Sequence, residues 1–344
     1  MLTLTRRRFS QGLLAAVAMT GAGAVHAQAP RLLNLGLDSP IDGTNSPLLL
    51  ALDRQYFAAE GLDVAIEPGL GARGCVTAMA DGKFDLGFGD FNALVRQRDD
   101  NPRADLKAIA ILHDQPAFAI VGRKSRGITS DPQSLVGTRI GATIGEATLA
   151  QWPLFRKLIG LGEKAVQVET VGVAVKEPML VQGEVDAVLG FSMASVVNLR
   201  ARDIPEDDVV ALLMSSYGLE LYGNAIIANG KLLHETPDAA RGFIRAYTRG
   251  LRDAIADPAA AIECVVKRKP TAVRALEIDR LQLMLSQNVL TPYVREHGFG
   301  GFDPARFDRS IDQHAGVTTF KKRPLAADVF ATGFLPGDAE RRIG

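Results

Sequence analysis

Short apolar runs alternate with amphipathic stretches along most of the chain, and turn residues separate them. Leu32–Leu37 reads as a strand, followed by a polar loop from Asp38 to Gly43. Ser46-Pro47 places a capping residue and a proline at a helix start, predicting a helix over Leu48–Phe57. Gly61 ends it, and Asp63–Glu67 predicts a second strand. The run Gly69-Leu-Gly-Ala-Arg-Gly74 predicts a flexible loop ahead of a helix over Cys75–Asp81. Phe84–Gly89 predicts the third strand, and Asp90 opens the next helix. This strand–loop–helix rhythm is that of a mainly parallel sheet flanked by helices, an α/β fold.

The rhythm restarts at Thr138–Thr143, a predicted strand. Thr143 and Glu146 have the spacing of a capping box for a helix through Leu161. Further strands are predicted at Val166–Val171, Asp186–Gly190 and Val209–Met214. Beyond Asn229 the pattern turns helical, with starts at Thr236-Pro237, Asp257-Pro258 and Asp303-Pro304. After Lys321 periodicity fades, which predicts a segment packed across the surface. Gly82-Lys-Phe-Asp-Leu86 is echoed by Gly183-Glu-Val-Asp-Ala187, each a glycine helix stop followed by an acidic start to a strand. Two lobes of like topology follow, joined by an outward crossing near Gln115–Gly122 and a return near Tyr222–Ala228. A ligand cleft is expected between them, at the strand C-termini, closing on those crossings as a hinge.

The first 27 residues carry Arg6, Arg7 and Arg8, no acid, and an apolar stretch from Leu13 to Val25. That pattern, ending in Val25-His26-Ala27, is an export signal cleaved near Ala27, and Thr5-Arg-Arg-Arg-Phe9 resembles the twin-arginine type. A periplasmic location is expected. The whole chain of 344 residues balances 39 Lys+Arg against 39 Asp+Glu, which argues against a nucleic-acid partner. Two cysteines, Cys75 and Cys264, are too few for a disulfide scaffold, and both are expected to be buried free thiols.

Enzyme motifs are sparse. His113, His234, His297 and His314 lack metal-ligand spacing, and neither a Gly-x-Ser-x-Gly elbow nor a phosphate-binding Gly-x-x-x-x-Gly-Lys loop occurs. Gly69–Gly74 resembles Gly-x-Gly-x-x-Gly, but it follows the second strand and lacks the spaced acid of a dinucleotide site. The reading is therefore of a chain that is not an enzyme and needs no cofactor or metal. Ligand contacts are expected from loops after strand ends and from helix N-termini, whose free N–H groups suit anionic oxygens. These are Asp38, Asn45, Ser46, Gly71, Arg73, Asp90 and Asn92 in the first lobe, and Thr143, Glu146, Phe191 and Tyr222 in the second lobe and its return crossing. Arg73 would pair an anion and Asp38 a cation, or the two would neutralise each other; Phe191 and Tyr222 would form a cleft wall.

Three runs carry a family resemblance. Pro47-Leu-Leu-Leu-Ala-Leu-Asp-Arg-Gln-Tyr-Phe-Ala-Ala-Glu-Gly-Leu-Asp-Val64, Ala80-Asp-Gly-Lys-Phe-Asp-Leu-Gly-Phe-Gly-Asp90 and Leu180-Val-Gln-Gly-Glu-Val-Asp-Ala-Val-Leu-Gly190 resemble periplasmic binding proteins of ABC importers for nitrate, sulfonates, taurine and thiamine pyrimidine precursors. Tyr222-Gly-Asn-Ala-Ile-Ile-Ala-Asn229 is similar to that family's return crossing. The cysteine-rich motif of the fungal branch that makes thiamine pyrimidine is absent, and the single tryptophan, Trp152, falls in a helix. The resemblance implies a type II periplasmic-binding-protein fold, with 28–117 and 224–320 in one lobe, 118–223 in the other and 321–344 as a surface segment. It implies a monomeric receptor that closes on a small polar or anionic metabolite (sulfonate, carboxylate or pyrimidine precursor). An inner-membrane ABC permease with its ATPase would receive the cargo. The alternatives are an exported enzyme on the same fold and a sensing subunit for a membrane kinase.

Overall fold

The computed structural model describes residues 29–344; the expected export signal and its cleavage at Ala27 lie outside the described residues. Strands β1 (Arg31–Leu37), β2 (Leu62–Glu67), β3 (Leu86–Asp90) and β4 (Leu106–Ile111) belong to the first sheet. Strands β5 (Phe118–Arg123), β6 (Arg139–Ala142), β7 (Gln167–Thr170), β8 (Ala187–Phe191) and β9 (Val209–Leu213) form the second, and β10 (Asn224–Asn229) returns to the first. The orders, β2-β1-β3-β10-β4 and β7-β6-β8-β5-β9, are the same pattern twice.

In each sheet one strand runs against the rest: β10 is antiparallel to β3 and β4, and β5 to β8 and β9. Both follow a crossing. A chain that enters a lobe at the cleft must run away from it, whereas strands fed by crossover helices run toward it. The expected return crossing at Tyr222–Ala228 is thus mostly the β10 strand, set between β3 and β4. Strand β4 was not foreseen: the apolar run Leu106–Ile111 is short and Lys107 interrupts it.

The helices of the first lobe begin with α1 (Ser46–Asp53) and α2 (Tyr56–Ala59), where one helix over Leu48–Phe57 was predicted. Gln55, at φ 58°, breaks it in the left-handed region and turns Phe57 under Phe243, ring centroids 5.0 Å apart. Helices α3 (Ala72–Ala80) and α4 (Phe91–Asp100) pack on the same sheet. A Cβ at Gly87 of β3 would strike the Met79 sulfur, so this glycine sets the close approach of α3. The second lobe carries α5 (Ala147–Leu158), α6 (Lys176–Gln182) and α7 (Ser192–Arg200).

Beyond β10 run α8 (Gly230–Glu235), α9 (Pro237–Ala256), α10 (Pro258–Arg268), α11 (Arg274–Met284), α12 (Pro292–His297) and α13 (Pro304–Ala315). Helix α9 buries Ala240, Phe243, Tyr247, Leu251 and Ala254, the stripe a 3.6-residue period makes. A π-helical turn, Leu285–Val289, follows α11. The C-terminal segment does more than lie on the surface: Val329, Phe330 and Ile343 are buried, and Phe330 bridges to Ala108 of β4. Cys75 and Cys264 are both buried and unpaired. Among the described residues no helix is long and apolar enough to cross a membrane.

Candidate ligand-binding site

The first-lobe floor is built where β1, β3 and β10 end or begin. Asp38 N–H donates to the Phe88 carbonyl of β3, and Gly71 N–H to the Asp38 carbonyl at 2.8 Å, drawing the start of α3 onto the end of β1. Asn45 Nδ2 donates to Ser39 Oγ at 3.3 Å, tying the start of α1 to the same loop. Asp38, half-buried, accepts from Asn224 Nδ2 at 2.7 Å. Asp90 is buried, caps α4 by accepting from Ala93 N–H, and accepts from Asn92 Nδ2 at 2.9 Å.

Neither carboxylate has a cationic partner among the described residues. Burial, reinforced by the charges of Asp90 and Asp42, raises the Asp38 pKa to about 6 against the Asn224 hydrogen bond. Burial likewise raises Asp90 to about 6, opposed by Asn92 and Ala93. The Ser46 hydroxyl, wholly enclosed at the start of α1, has no hydrogen-bond partner. The neutralisation of Asp38 by Arg73 does not occur. Arg73 is also not in a loop: Gly71, at φ 75°, lets α3 start at Ala72, so Arg73 lies exposed in its first turn.

The second-lobe half departs further from the sequence reading. Glu146 does not fold back to cap α5; both its oxygens accept from Lys176 Nζ, at 2.7 and 2.8 Å. Lys176 is buried and also donates to the Leu189 carbonyl at 2.8 Å, so it needs a counter-charge more than the helix needs a cap. Burial raises the Glu146 pKa and Lys176 opposes the rise. Thr143 Oγ1 is left without a partner. Phe191 is half-buried and packs against the cores of both lobes, its ring 6.0 Å from Phe118.

Tyr222 is no cleft wall. It is 1% exposed, stacks on Phe302 at 5.5 Å and accepts from Asp303 N–H at 2.8 Å. Asn92 is committed as well, its Nδ2 donating to the Tyr222 carbonyl at 2.8 Å besides Asp90. Sequence reasoning passed over Lys176 and Asn224, whose roles depend on partners 30 and 186 residues away. It also passed over Arg306 of α13. That guanidinium donates to Asp114 Oδ1, the Asp114 carbonyl and the Leu221 carbonyl, all at 2.7 Å, holding both crossings at once. Nearby His113 is buried, which lowers its pKa to about 4.

The lobes touch along α7, α11 and the π-helical turn after it. Ser192 Oγ donates to Gln287 Oε1 at 2.6 Å, Arg200 pairs with Asp279 at 2.9 Å, and Arg280 donates to the Met193 carbonyl at 3.2 Å. Away from that seam a cavity of about 400 Å³ opens between α3 and α4 on one side and α5 on the other. Its lining includes Arg73, Asp90, Arg96, Gln151 and His314.

The family pattern described as NMT1/THI5 like matches residues 44–261. A 4-amino-5-hydroxymethyl-2-methylpyrimidine phosphate synthase of Aspergillus parasiticus is 29% identical over 66% of this chain and 67% of its own. The riboflavin-binding protein RibY of Chloroflexus aurantiacus is 25% identical over 85% of this chain and 82% of its own. Among solved structures, the alkanesulfonate-binding protein SsuA from Xanthomonas axonopodis pv. citri shares the fold: TM-score 0.64, 16% identity, 88% of this chain and 99% of that one. The expectation of a chain that is not an enzyme is overturned here, since the synthases are enzymes matched over two-thirds of the chain.

Proposed function

The chain belongs to the NMT1/THI5-like family, and we propose that it is an exported protein that encloses a small nitrogenous molecule between its lobes. A monomer, it would release that molecule to an inner-membrane ABC permease and its ATPase. The observation that carries the ligand class is the floor: two carboxylates, the half-buried Asp38 and the buried Asp90, with no cation beside them among the described residues. Such groups attract amino or ring N–H donors and repel the sulfonate and nitrate oxygens that other proteins of this fold accept. Of the expected cargoes a pyrimidine precursor fits best, in keeping with the relatives' names. The Ser46 hydroxyl would complete the head-group contacts from lobe one and Thr143 from lobe two.

A second reading, catalysis in the same cleft, is favoured by the likeness to the synthases. One experiment addresses both: titrate the purified chain with aminopyrimidines, riboflavin, taurine and alkanesulfonates, then recover each ligand by native mass spectrometry. Aminopyrimidine binding that Asp38→Asn abolishes supports the floor's role, and a ligand at a hundred times its Kd adds about 2.7 kcal/mol of stability. Binding of alkanesulfonates that Asp38→Asn leaves intact would sink the nitrogenous reading. A ligand returned unchanged supports carriage; one returned converted supports catalysis.

A further inference from the structure

The cavity between α3, α4 and α5 holds two ionic groups that do not meet. At one wall is Asp90, 2% exposed, whose charge no cation balances. On the same first-lobe side is Arg73, in the first turn of α3, which forms no ion pair or hydrogen bond among the described residues. The second arginine of the lining is spoken for: Arg96 donates to the Thr319 carbonyl at 3.1 Å and lies 3.7 Å from Asp100 and 3.9 Å from Asp99. Asp100 is the other carboxylate in the lining, and it faces Arg96 and, at 4.0 Å, Lys321.

We propose that this cavity is the second half of the ligand site, in which Arg73 and the start of α3 seat an acidic group of the ligand, carboxylate or phosphate. The inference rests on the reading above, that the ligand's nitrogenous head lies on Asp38 and Asp90, and it makes the cargo amphoteric: a heterocycle bearing an acid.

Three further observations point the same way. The first intrahelical bond of α3 is from Cys75 N–H to the Gly71 carbonyl, which leaves the N–H groups of Ala72, Arg73 and Gly74 free, and no side chain caps them. From the other lobe comes Gln151, 4% exposed, whose Oε1 has no partner although it lines the cavity. An amide so enclosed is left unpaired only at a cost that a bound group would relieve, and turned over it offers its NH₂ to an anion. His314 Nε2 is a second unpartnered atom of the lining, on a ring that burial and Arg96 keep neutral. A guanidinium fork is the group best shaped for a carboxylate or phosphate, and here its second lobe partner would engage only when the lobes close.

The test is calorimetric titration of the chain with 4-amino-5-hydroxymethyl-2-methylpyrimidine, its phosphate ester and its 5-carboxylate analogue, in wild type and Arg73→Ala. Arg73 is exposed, so the variant folds. The acidic ligands are expected to bind about tenfold tighter than the neutral parent. In Arg73→Ala that ratio falls to within about twofold. Equal binding of parent and acids by wild type, or a ratio that survives Arg73→Ala, overturns the inference. If no pyrimidine binds, the head-group reading fails, and inorganic phosphate decides the rest. A melting shift in millimolar phosphate that Arg73→Ala removes keeps the anion seat; no such shift overturns it.

Discussion

At the scale of single residues the site is defined by two acids held where charge is costly. Asp38 titrates at about 6 in the folded chain and 3.8 outside it. Between those values the folded state holds the extra proton, so this group's contribution falls as pH rises from 3.8 through 6 and is unfavourable above. Asp38→Asn, which can still accept from Asn224, is therefore expected to melt higher than wild type near neutral pH, by about 1–3 kcal/mol. The difference should vanish toward pH 4, and thermal melts across that range would show it. A variant no more stable than wild type at neutral pH would mean the carboxylate is not strained. His113 has the opposite sign: lowered from 6.5 to about 4, it loses stability as pH falls through that window. On the proposed reading a donor of the ligand would offset the cost of Asp38, supplying it with the hydrogen bond that the protein withholds.

At the scale of elements, ion pairs decide where helices and crossings sit. The Glu146–Lys176 pair joins the start of α5 to the start of α6, with Lys176 the more enclosed partner at 4% exposed. Glu146→Gln is expected to cost about 1–3 kcal/mol in urea unfolding while leaving helix content by circular dichroism unchanged. A loss below about 0.5 kcal/mol with fraying of α5 would restore the capping role. Arg306 matters more. Its partner Asp114 is 3% exposed and also accepts from Thr291 Oγ1 at 2.5 Å, so Arg306→Ala strands a buried charge at the hinge. A loss of about 3–5 kcal/mol is expected. Lysine should not recover it, because one ammonium cannot reach carbonyls on both crossings. Helix contact is tight enough to exclude a methyl: a Cβ at Gly250 of α9 would strike the Pro47 carbonyl of α1, so Gly250→Ala should destabilise by forcing the two helices apart.

At the scale of the whole molecule a further contact joins the lobes, the seam that α7 makes with α11 and the π-helical turn after it. Its bonds, Ser192 to Gln287 and Arg200 to Asp279, are made only while the lobes are together. Removing both with Gln287→Ala and Asp279→Ala should shift the ligand-free chain toward an open form. Small-angle scattering would record a larger radius of gyration, restored by saturating ligand, and affinity would drop about tenfold. A radius that neither the substitutions nor ligand alters would argue against hinge closure.

The repeated strand–helix rhythm, the restart at Thr138 and the glycine–acid echo of 82–86 and 183–187 made two α/β lobes legible, because periodicity and turn chemistry are local. Proline-led starts at Pro237, Pro258 and Pro304 were legible for the same reason. Asp38 and Asp90 could be named as candidates from strand ends, and Ser46 from a helix start. What those candidates do could not. Tyr222 became core, Asn92 an internal brace and Glu146 the partner of Lys176 because each found a neighbour from a distant part of the chain. The chain's own order determined which residues stand at the ends of strands. Only the packing of elements within each lobe decided which of them keep an unpaired charge, because burial and partnership are properties of three-dimensional neighbours.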